Sequence, residues 1–332
     1  MREQADPQPH YHLLVVDDDE IVCESIANYL ENYHEAAYTL SVDSALDIPR
    51  AQECVEKRAS QYPDTPYDLV ISDINLPSQD GFQFLQSVEA KYPAVKTALM
   101  TAYQVEDYIR TAKKLGVYNI IAKTAPFNFE ELSSAVHHLL LPEKAWGIAS
   151  YLEPGTPVET QIITNSDGIM PVFYHLKEFF TANHVRDVDN LATALIEALT
   201  NAVYHVSRNE DGTDKYKKGQ FIEALLPDEY VSVQYGKDSE RVAVCISDQG
   251  GKISAGDILY WLDRNVSGAG LLDTHGRGVY LMRTLVDRLV INIEPGVRTE
   301  IIVMDYFSPQ YSANKPLYIN QMSGKPDFQM AS

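Results

Sequence analysis

The chain has 332 residues, which is long enough for two domains that each bury a core. It carries 47 acidic and 27 basic residues, and the net charge of -20 argues against direct nucleic-acid binding, because phosphate contacts need clustered cations. No apolar stretch reaches the length of a membrane span, and the N-terminus lacks the apolar core of a signal peptide. We therefore expect a cytoplasmic protein that does not contact a membrane.

Short apolar runs alternate with amphipathic stretches over the first 140 residues. Buried parallel strands are predicted at residues 13–16, 69–71, 97–100 and 119–122. Helical periodicity marks residues 21–30, 81–91, 106–115 and 129–140. This alternation predicts an α/β domain over residues 1–141, with a doubly wound, five-stranded parallel sheet.

The rest of the chain has a different pattern. Residues 142–159 contain three prolines and are predicted to be a linker. Helices are predicted at residues 170–183, 187–206 and 279–286, and strands at residues 230–235, 242–247, 289–293 and 300–305. Helices segregated from a mixed sheet indicate an α+β sandwich over residues 160–307. The tail, residues 308–332, has no periodicity, and we expect it to be irregular.

Polar side chains follow the predicted strands of the first domain at the points where these strands end. They are Asp17, Asp18, Asp73, Thr101 and Lys123. The carboxyl ends of parallel strands meet at one edge of a sheet, so these groups should lie together. Crowded carboxylates need a cation between them, and oxygen ligands suit Mg²⁺. A nucleophilic carboxylate beside Mg²⁺, a hydroxyl and a lysine indicates a phosphoryl-transfer site.

The runs VVDDDE, VISDINLPSQDG, LMTAY and IIAK resemble, in order and spacing, the motifs of response-regulator receiver domains, which have a flavodoxin-like fold. The resemblance implies that Asp73 is the phosphoacceptor and that Thr101 and Lys123 contact the phosphoryl group. It implies that Mg²⁺ is held by Asp17, Asp18, Asp73 and the backbone carbonyl of Asn75. An upstream histidine kinase or phosphotransfer protein would supply the phosphoryl group.

The chain departs from the receiver pattern in two places. Thr124, rather than proline, follows Lys123, and Pro126 comes later. Ile120 stands three residues before the lysine, where the family often has an aromatic switch residue. Nearby Tyr118 and Tyr103 are candidates to replace it.

A second constellation lies beyond residue 160. Glu197, Asn201 and His205 are spaced by four residues and share one face of a predicted helix. Asp248 ends an apolar strand and is followed by Gly250, and the run THGRG places two more glycines before a helix. Glycines at that position let backbone N–H groups approach phosphates. Each feature alone is weak, and we expect His205 to be only a packed helix residue.

Together, EALTNAVYHV, SDQGG and HGRGVYLMRTLVD resemble the GHKL (Bergerat-type) ATPases, and within them the anti-sigma-factor serine kinases. This resemblance implies that ATP binds with Mg²⁺ on Asn201 and that Glu197 is the general base. It places the adenine amine on Asp248 near Thr299. The remaining cofactor-binding positions that it implies are Gly250, Gly276, Arg277 and Gly278. Lys252 departs from the pattern, because a glycine often stands at that position.

The segment between Leu141 and Thr160 is too short for the helical hairpin that carries the phosphorylated histidine of hybrid sensor kinases, which needs roughly 50–60 residues. His137 and His138 lie in the last predicted helix of the first domain and are expected to be solvated surface residues, so we do not expect histidine autophosphorylation. Three hypotheses remain: a receiver-controlled serine/threonine kinase acting on an antagonist protein, an ATP-dependent module that sequesters a sigma factor or other partner, and a scaffold that binds no nucleotide. The resemblance is also compatible with a homodimer.

Overall fold

The structure is a computed structural model. It describes residues 8–33, 38–77, 80–102, 109–116, 118–205, 213, 215–266, 277–308 and 315–321, without the side chains of residues 115 and 277. The chain divides into two compact units, Met1–Tyr103 with Lys114–Pro142, and Gln104–Lys113 with Glu143–Ser332. Across the described ranges, we find no helix whose length and apolar character would let it cross a membrane.

The first ten elements alternate strand and helix. They are β1 (His10–Val16), α1 (Glu20–Glu31), β2 (Thr39–Ala45), α2 (Ile48–Ala59), β3 (Leu69–Asp73), α3 (Gly81–Lys91), β4 (Lys96–Thr101), α4 (Ile109–Leu115), β5 (Asn119–Ala122) and α5 (Phe129–Leu140). The strands are ordered β2-β1-β3-β4-β5, and every neighbouring pair is parallel. The predicted five-stranded parallel sheet is confirmed.

Two elements of this unit were not located from the sequence, β2 and α2. Strand β2 lies at the edge of the sheet and carries exposed or half-buried polar residues such as Ser41, Asp43 and Ser44. It therefore lacks the continuous apolar run that marks a central parallel strand. Helix α2 has few buried residues, namely Ile48, Ala51 and Val55.

The expectation that His138 is a solvated surface residue was wrong. Its exposed fraction is 4%, whereas that of His137 is intermediate. The reason is that α5 buries a broad face, which includes Ala135, Val136 and Leu139 beside His138. A histidine inside this apolar stripe is covered by its own helix and by the core.

The second unit contains the first part of α4, residues 109–113, and, among the described residues, ten further α-helices and β-strands. They are β6 (Val158–Ile163), α6 (Ile169–Ala182), α7 (Val188–Tyr204), β7 (Val231–Lys237), β8 (Arg241–Asp248), α8 (Ala255–Val266), α9 (Arg277–Leu285), β9 (Arg288–Glu294), β10 (Arg298–Tyr306) and β11 (Leu317–Gln321). Its strands are ordered β11-β9-β10-β8-β7-β6. The neighbours are antiparallel, except that β11 runs parallel to β9. The predicted α+β class is confirmed.

Two expectations about the flanks of this unit need correction. Part of the tail is the regular strand β11, in which Leu317, Tyr318 and Ile319 are buried. Five residues after Pro316 are too few to show a period in the sequence. The expected linker is also packed, because Ile148 and Tyr151 are buried and β6 begins at its end.

Polar contacts hold this packed segment on the sheet of the second unit. Asn292 donates from Nδ2 to the carbonyl oxygen of Ala145 at 2.6 Å. The backbone N–H of Gly147 donates to Glu300 Oε2 at 2.8 Å. Both sheet residues are buried, so these bonds satisfy groups that would otherwise be costly to desolvate. Residues 145–152 thus pack on the second unit, with Ala145, Ile148, Tyr151 and Leu152 in its core.

Candidate functional site

The first candidate site lies at the carboxyl ends of the strands in the first unit. Residue pairing across the sheet joins Val16 to Ser72 and Thr101 to Ala122, so the residues that follow emerge side by side. Asp17, Asp18 and Asp73 each offer a carboxylate oxygen, and these oxygens lie within 4.8 Å of one another. This donor set fits the all-oxygen ligation that Mg²⁺ prefers.

Lys123 bridges two of these acids. Its Nζ lies 2.5 Å from Asp17 Oδ2 and 2.7 Å from Asp73 Oδ2. Burial raises the pKa of Asp17 above its ordinary value, although the contact with Lys123 opposes this effect. Burial alone would lower the pKa of Lys123, but its hydrogen bonds to the two carboxylates outweigh that and raise it. The lysine is therefore a firmly held cation at the two acids.

The turn after Asp73 brings the start of α3 against the same site. Asn75 donates its backbone N–H to Asp73 Oδ1 at 3.4 Å and forms a β-bridge with Asp80. Asp80 caps α3 by accepting from the backbone of Phe82 at 2.9 Å. A Cβ atom at Gly81 would overlap the carbonyl oxygen of Asp73. Glycine at this position lets the helix begin directly against the candidate nucleophile.

Replacing Gly81 with Ala should destabilise the first unit. The added methyl group meets backbone rather than a flexible side chain, so the turn must shift, at a cost of about 1–3 kcal/mol. Urea unfolding of the full chain would measure the loss. Gly155→Ala is unsuitable as a control because that residue has a positive φ. Gly256→Ala is suitable, since its Cβ would find only ordinary contact in α8. An equal effect of both substitutions would contradict the steric argument.

The departures from the receiver pattern have structural counterparts. The hydroxyl of Thr124 donates to the carbonyl of Pro126 at 2.8 Å and accepts from the backbone of Asn128 at 3.1 Å. The peptide bond between Ala125 and Pro126 is cis. Ile120 is fully buried, so an aliphatic core residue occupies the position of the aromatic switch. Tyr103 lies outside the described residues.

The second candidate site lies where α9 begins against α7. A Cβ atom at Gly278 would come 2.9 Å from Asn201 Nδ2 and 3.2 Å from Glu197 Oε2. The absence of a side chain at Gly278 therefore lets the start of α9 pack directly against the amide and the carboxylate. The N-terminus of a helix presents unpaired N–H groups and a partial positive charge. This arrangement is suited to a phosphate group with its metal ion.

Asp248 and Thr299 form a second part of this site on neighbouring strands. The two residues pair across β8 and β10, and both are buried. Asp248 Oδ1 accepts from the backbone of Gly250 at 2.8 Å and of Gly251 at 3.3 Å. Among the described residues, the buried hydroxyl of Thr299 has no hydrogen-bond partner. A buried acceptor beside an unsatisfied hydroxyl fits the polar edge of a base such as adenine.

The structure describes only some of the other residues that the sequence predicts for this site. Gly276 and the side chain of Arg277 lie outside the described residues. Lys252 is exposed, so a side chain at this position is accommodated. His205 caps the C-terminus of α7 and is half-buried, with its backbone N–H on the Asn201 carbonyl at 3.0 Å.

Lys218 was not predicted from the sequence. Its Nζ lies 3.4 Å from Glu197 Oε1 and 3.3 Å from Glu197 Oε2. The lysine follows α7 by more than ten residues, in the run KYKKG, and no periodicity or motif marks it. Only the folded turn reveals that this cation faces the candidate general base.

Replacing Asp248 with Asn should abolish ATP binding while raising the melting temperature of the nucleotide-free protein. Asn keeps an acceptor for the N–H groups of Gly250 and Gly251 but places a donor where the adenine amine would donate. The stability gain follows from burial, which raises the pKa of Asp248 to about 6. Between a pH of about 4 and about 6, the folded wild type keeps a proton on Asp248 that the unfolded chain has lost. The free energy of unfolding of the wild type therefore falls as the pH rises through this range.

Above that range, the variant should be more stable by up to about 3 kcal/mol, and below pH of about 4 the two proteins should converge. Melting scans across the range, with and without ATP, would measure both effects. Asp167→Asn, which alters an exposed carboxylate of the same unit, is the matched control. A variant that still binds ATP would exclude Asp248 as the adenine acceptor.

Comparison with known families gives two separate matches. Residues 13–137 match the family model of the response regulator receiver domain. Residues 181–304 match the model of the histidine kinase-like ATPase domain. The first range contains the acid–lysine cluster around Asp73, and the second contains Glu197, Asn201, Asp248 and Thr299.

Similar proteins match only part of this chain. The transcriptional regulatory protein ComA of Bacillus subtilis is 25% identical over 202 residues, which cover 58% of this chain and 89% of ComA. The response regulator protein FleR of Pseudomonas aeruginosa is 31% identical over 125 residues, covering 37% of this chain and only 23% of FleR. A crystal structure of a response regulator receiver domain protein from Clostridium thermocellum is 20% identical, covering 41% of this chain and 99% of that one, with a TM-score of 0.34.

Proposed function

Because the chain joins a response regulator receiver domain to a histidine kinase-like ATPase domain, we propose that it is a two-component regulator with an ATP-dependent output. Phosphorylation of Asp73, by an upstream histidine kinase or phosphotransfer protein in the cytoplasm, controls that output. The output is a protein serine/threonine kinase of the anti-sigma-factor type, which acts on a partner antagonist protein.

One observation carries the output half of this proposal. Glu197 and Asn201 lie one turn apart on α7, directly beside the start of α9 at Gly278. A carboxylate, an amide and a helix N-terminus are thus brought together at one place. Thr299 lies beside Asp248, and its hydroxyl has no hydrogen-bond partner among the described residues, which supports the binding of an adenine ring between these strands and the phosphate end of the site.

In the proposed reaction, ATP supplies the phosphoryl group when bound with Mg²⁺. Asn201 would hold the metal ion, and Gly276, Arg277 and Gly278 would meet the phosphates. Asp248, beside Gly250 and Thr299, would accept the hydrogen bond from the adenine amine. Glu197 would take the proton from the attacking serine hydroxyl, whose oxygen would bond to the γ-phosphorus as the bond to the departing ADP breaks.

In the receiver domain, a carboxylate oxygen of Asp73 would attack the phosphorus of the donor, forming an acyl phosphate as the bond between the phosphorus and the donor breaks. Asp17, Asp18, Asp73 and the carbonyl oxygen of Asn75 would hold Mg²⁺, which neutralises charge on the phosphoryl oxygens when bound. Lys123 is already within 2.7 Å of Asp73, so a small movement would let it donate to a phosphoryl oxygen while Thr101 donates to another. The roles given to these residues follow from the resemblance to the family and stay proposals.

The test is a labelling experiment with the full-length protein. Protein fractions from the native host are incubated with γ-labelled ATP and the wild type, in the presence and absence of beryllofluoride, which mimics the phosphoryl group on Asp73. We expect a serine-labelled protein whose labelling rate changes with beryllofluoride and is lost in Asn201→Ala. A coupling of about 1–3 kcal/mol, or roughly 5–150-fold, would be typical.

Other outcomes separate the remaining hypotheses. If ATP binds and a partner is retained without any transfer of label, the output is a sequestering module rather than a kinase. If millimolar Mg·ATP gives neither heat in calorimetry nor a thermal shift, the second domain is a scaffold, because a ligand of the native state must raise apparent stability.

A further inference from the structure

Lys218 is held close to the candidate ATP site by a tight turn. The backbone N–H of Gln220 donates to the carbonyl of Lys217 at 2.8 Å, and Gly219 has a φ of +83°. The hydroxyl of Tyr204, a buried residue of α7, donates to the carbonyl of Gln220 at 3.1 Å. The turn is therefore attached to the same helix that carries Glu197.

The ion pair between Lys218 and Glu197 is weak enough for a bound phosphate to replace Glu197 as the partner of the ammonium. The ammonium is 3.3 Å from the nearer carboxylate oxygen, and 53% of the Lys218 side chain is exposed. An ion pair this long and this exposed contributes little to stability. A terminal phosphate carries more charge and more acceptor oxygens than a carboxylate, so it would compete well for the same ammonium.

The start of α9 also lies beside this ion pair. Gly278 packs against both Asn201 Nδ2 and Glu197 Oε2, and the N-terminus of a helix is suited to bind a phosphate. A terminal phosphate there would lie beside the carboxylate that Lys218 contacts. Lys218 is the cation that the described residues place at Glu197.

We propose that Lys218 binds the γ-phosphate of ATP and pairs with Glu197 only while that phosphate is absent. This inference rests on the proposed ATP site and adds a residue that distinguishes ATP from ADP by contacting the γ-phosphate. When the Lys218 ammonium moves from Glu197 to the γ-phosphate, the Glu197 carboxylate is free to accept a proton. ADP, which lacks the third phosphate, leaves the Lys218–Glu197 pair in place.

The test is to measure the affinity of the full-length protein for Mg·ATP and Mg·ADP by calorimetry. Lys218→Ala should weaken ATP binding about tenfold and leave ADP binding within about twofold, because only the γ-phosphate loses a partner. Lys218→Arg keeps the charge and should retain most of the preference for ATP. Lys217→Ala, at an exposed neighbour in the same turn, should behave like the wild type.

Equal losses for ATP and ADP in Lys218→Ala, or no loss for either, would overturn the role of Lys218 while leaving the ATP site intact. If the wild type binds neither nucleotide, the ATP site and the lysine are overturned together. Matching melting curves of the nucleotide-free variants verify that the turn still folds, since Lys218 is largely exposed.

Discussion

Replacing Asp73 with Asn should abolish phosphoryl uptake from acetyl phosphate. The amide has nearly the shape of the carboxylate but lacks a nucleophilic oxygen anion. The buried cluster should otherwise survive, because Lys123 retains its 2.5 Å contact with Asp17. Intact-mass measurement after incubation with acetyl phosphate and Mg²⁺ would show phosphorylated wild type and unmodified variant.

The control for this experiment is Asp64→Asn, which alters an exposed carboxylate of the same domain and should be phosphorylated like the wild type. Chelation of Mg²⁺ should stop the uptake in both proteins, since three crowded carboxylates and a phosphoryl group repel one another without the ion. Equal phosphate uptake by Asp73→Asn and the wild type would show that another residue is the acceptor.

The parallel sheet of the first domain could be predicted because β1, β3, β4 and β5 each contain a continuous apolar run. A polar residue ends or directly follows each of these strands, and parallel pairing brings such ends to one edge. Local sequence therefore indicated both the sheet and the cluster around Asp73. The edge strand β2 could not be located, because its alternating polar residues resemble a loop.

The second domain shows where sequence patterns become insufficient. Strand β11 and the packed segment around Ile148 are stabilised by contacts that are distant along the chain, such as the bond from Asn292 to Ala145. Short segments of this kind carry too few residues for periodicity to identify them. Tertiary packing, rather than intrinsic propensity, determines their structure.

The same limit applies to individual site residues. Glu197 and Asn201 were recognisable from their spacing on one helix only in combination with the glycine-containing motifs further along the chain. Lys218 reaches Glu197 only through a turn, which is fixed by Gly219 and by the hydrogen bond from Tyr204. A cation placed by a long-range contact leaves no periodic signal in the sequence, so only the three-dimensional structure could identify it.

Replacing Glu197 with Gln should nearly abolish phosphate transfer to serine while leaving ATP affinity almost unchanged. A general base acts on the attacking hydroxyl and not on the nucleotide, and its loss typically costs about 10²–10⁴-fold in rate. Gln has nearly the size of Glu, so the packing of residue 197 against Gly278 is preserved. A fall in kcat at constant affinity indicates an interaction made only in the transition state.

Three measurements distinguish this role from a structural one. Calorimetry gives the affinity for Mg·ATP, labelled-phosphate transfer gives the rate, and melting curves give the stability. Glu178→Gln, the same chemical change at an exposed position on α6, should match the wild type in all three. If Glu197→Gln lost ATP affinity and rate to the same extent, Glu197 would be a binding or structural residue. If the variant transferred phosphate at the wild-type rate, the base would have to be another group.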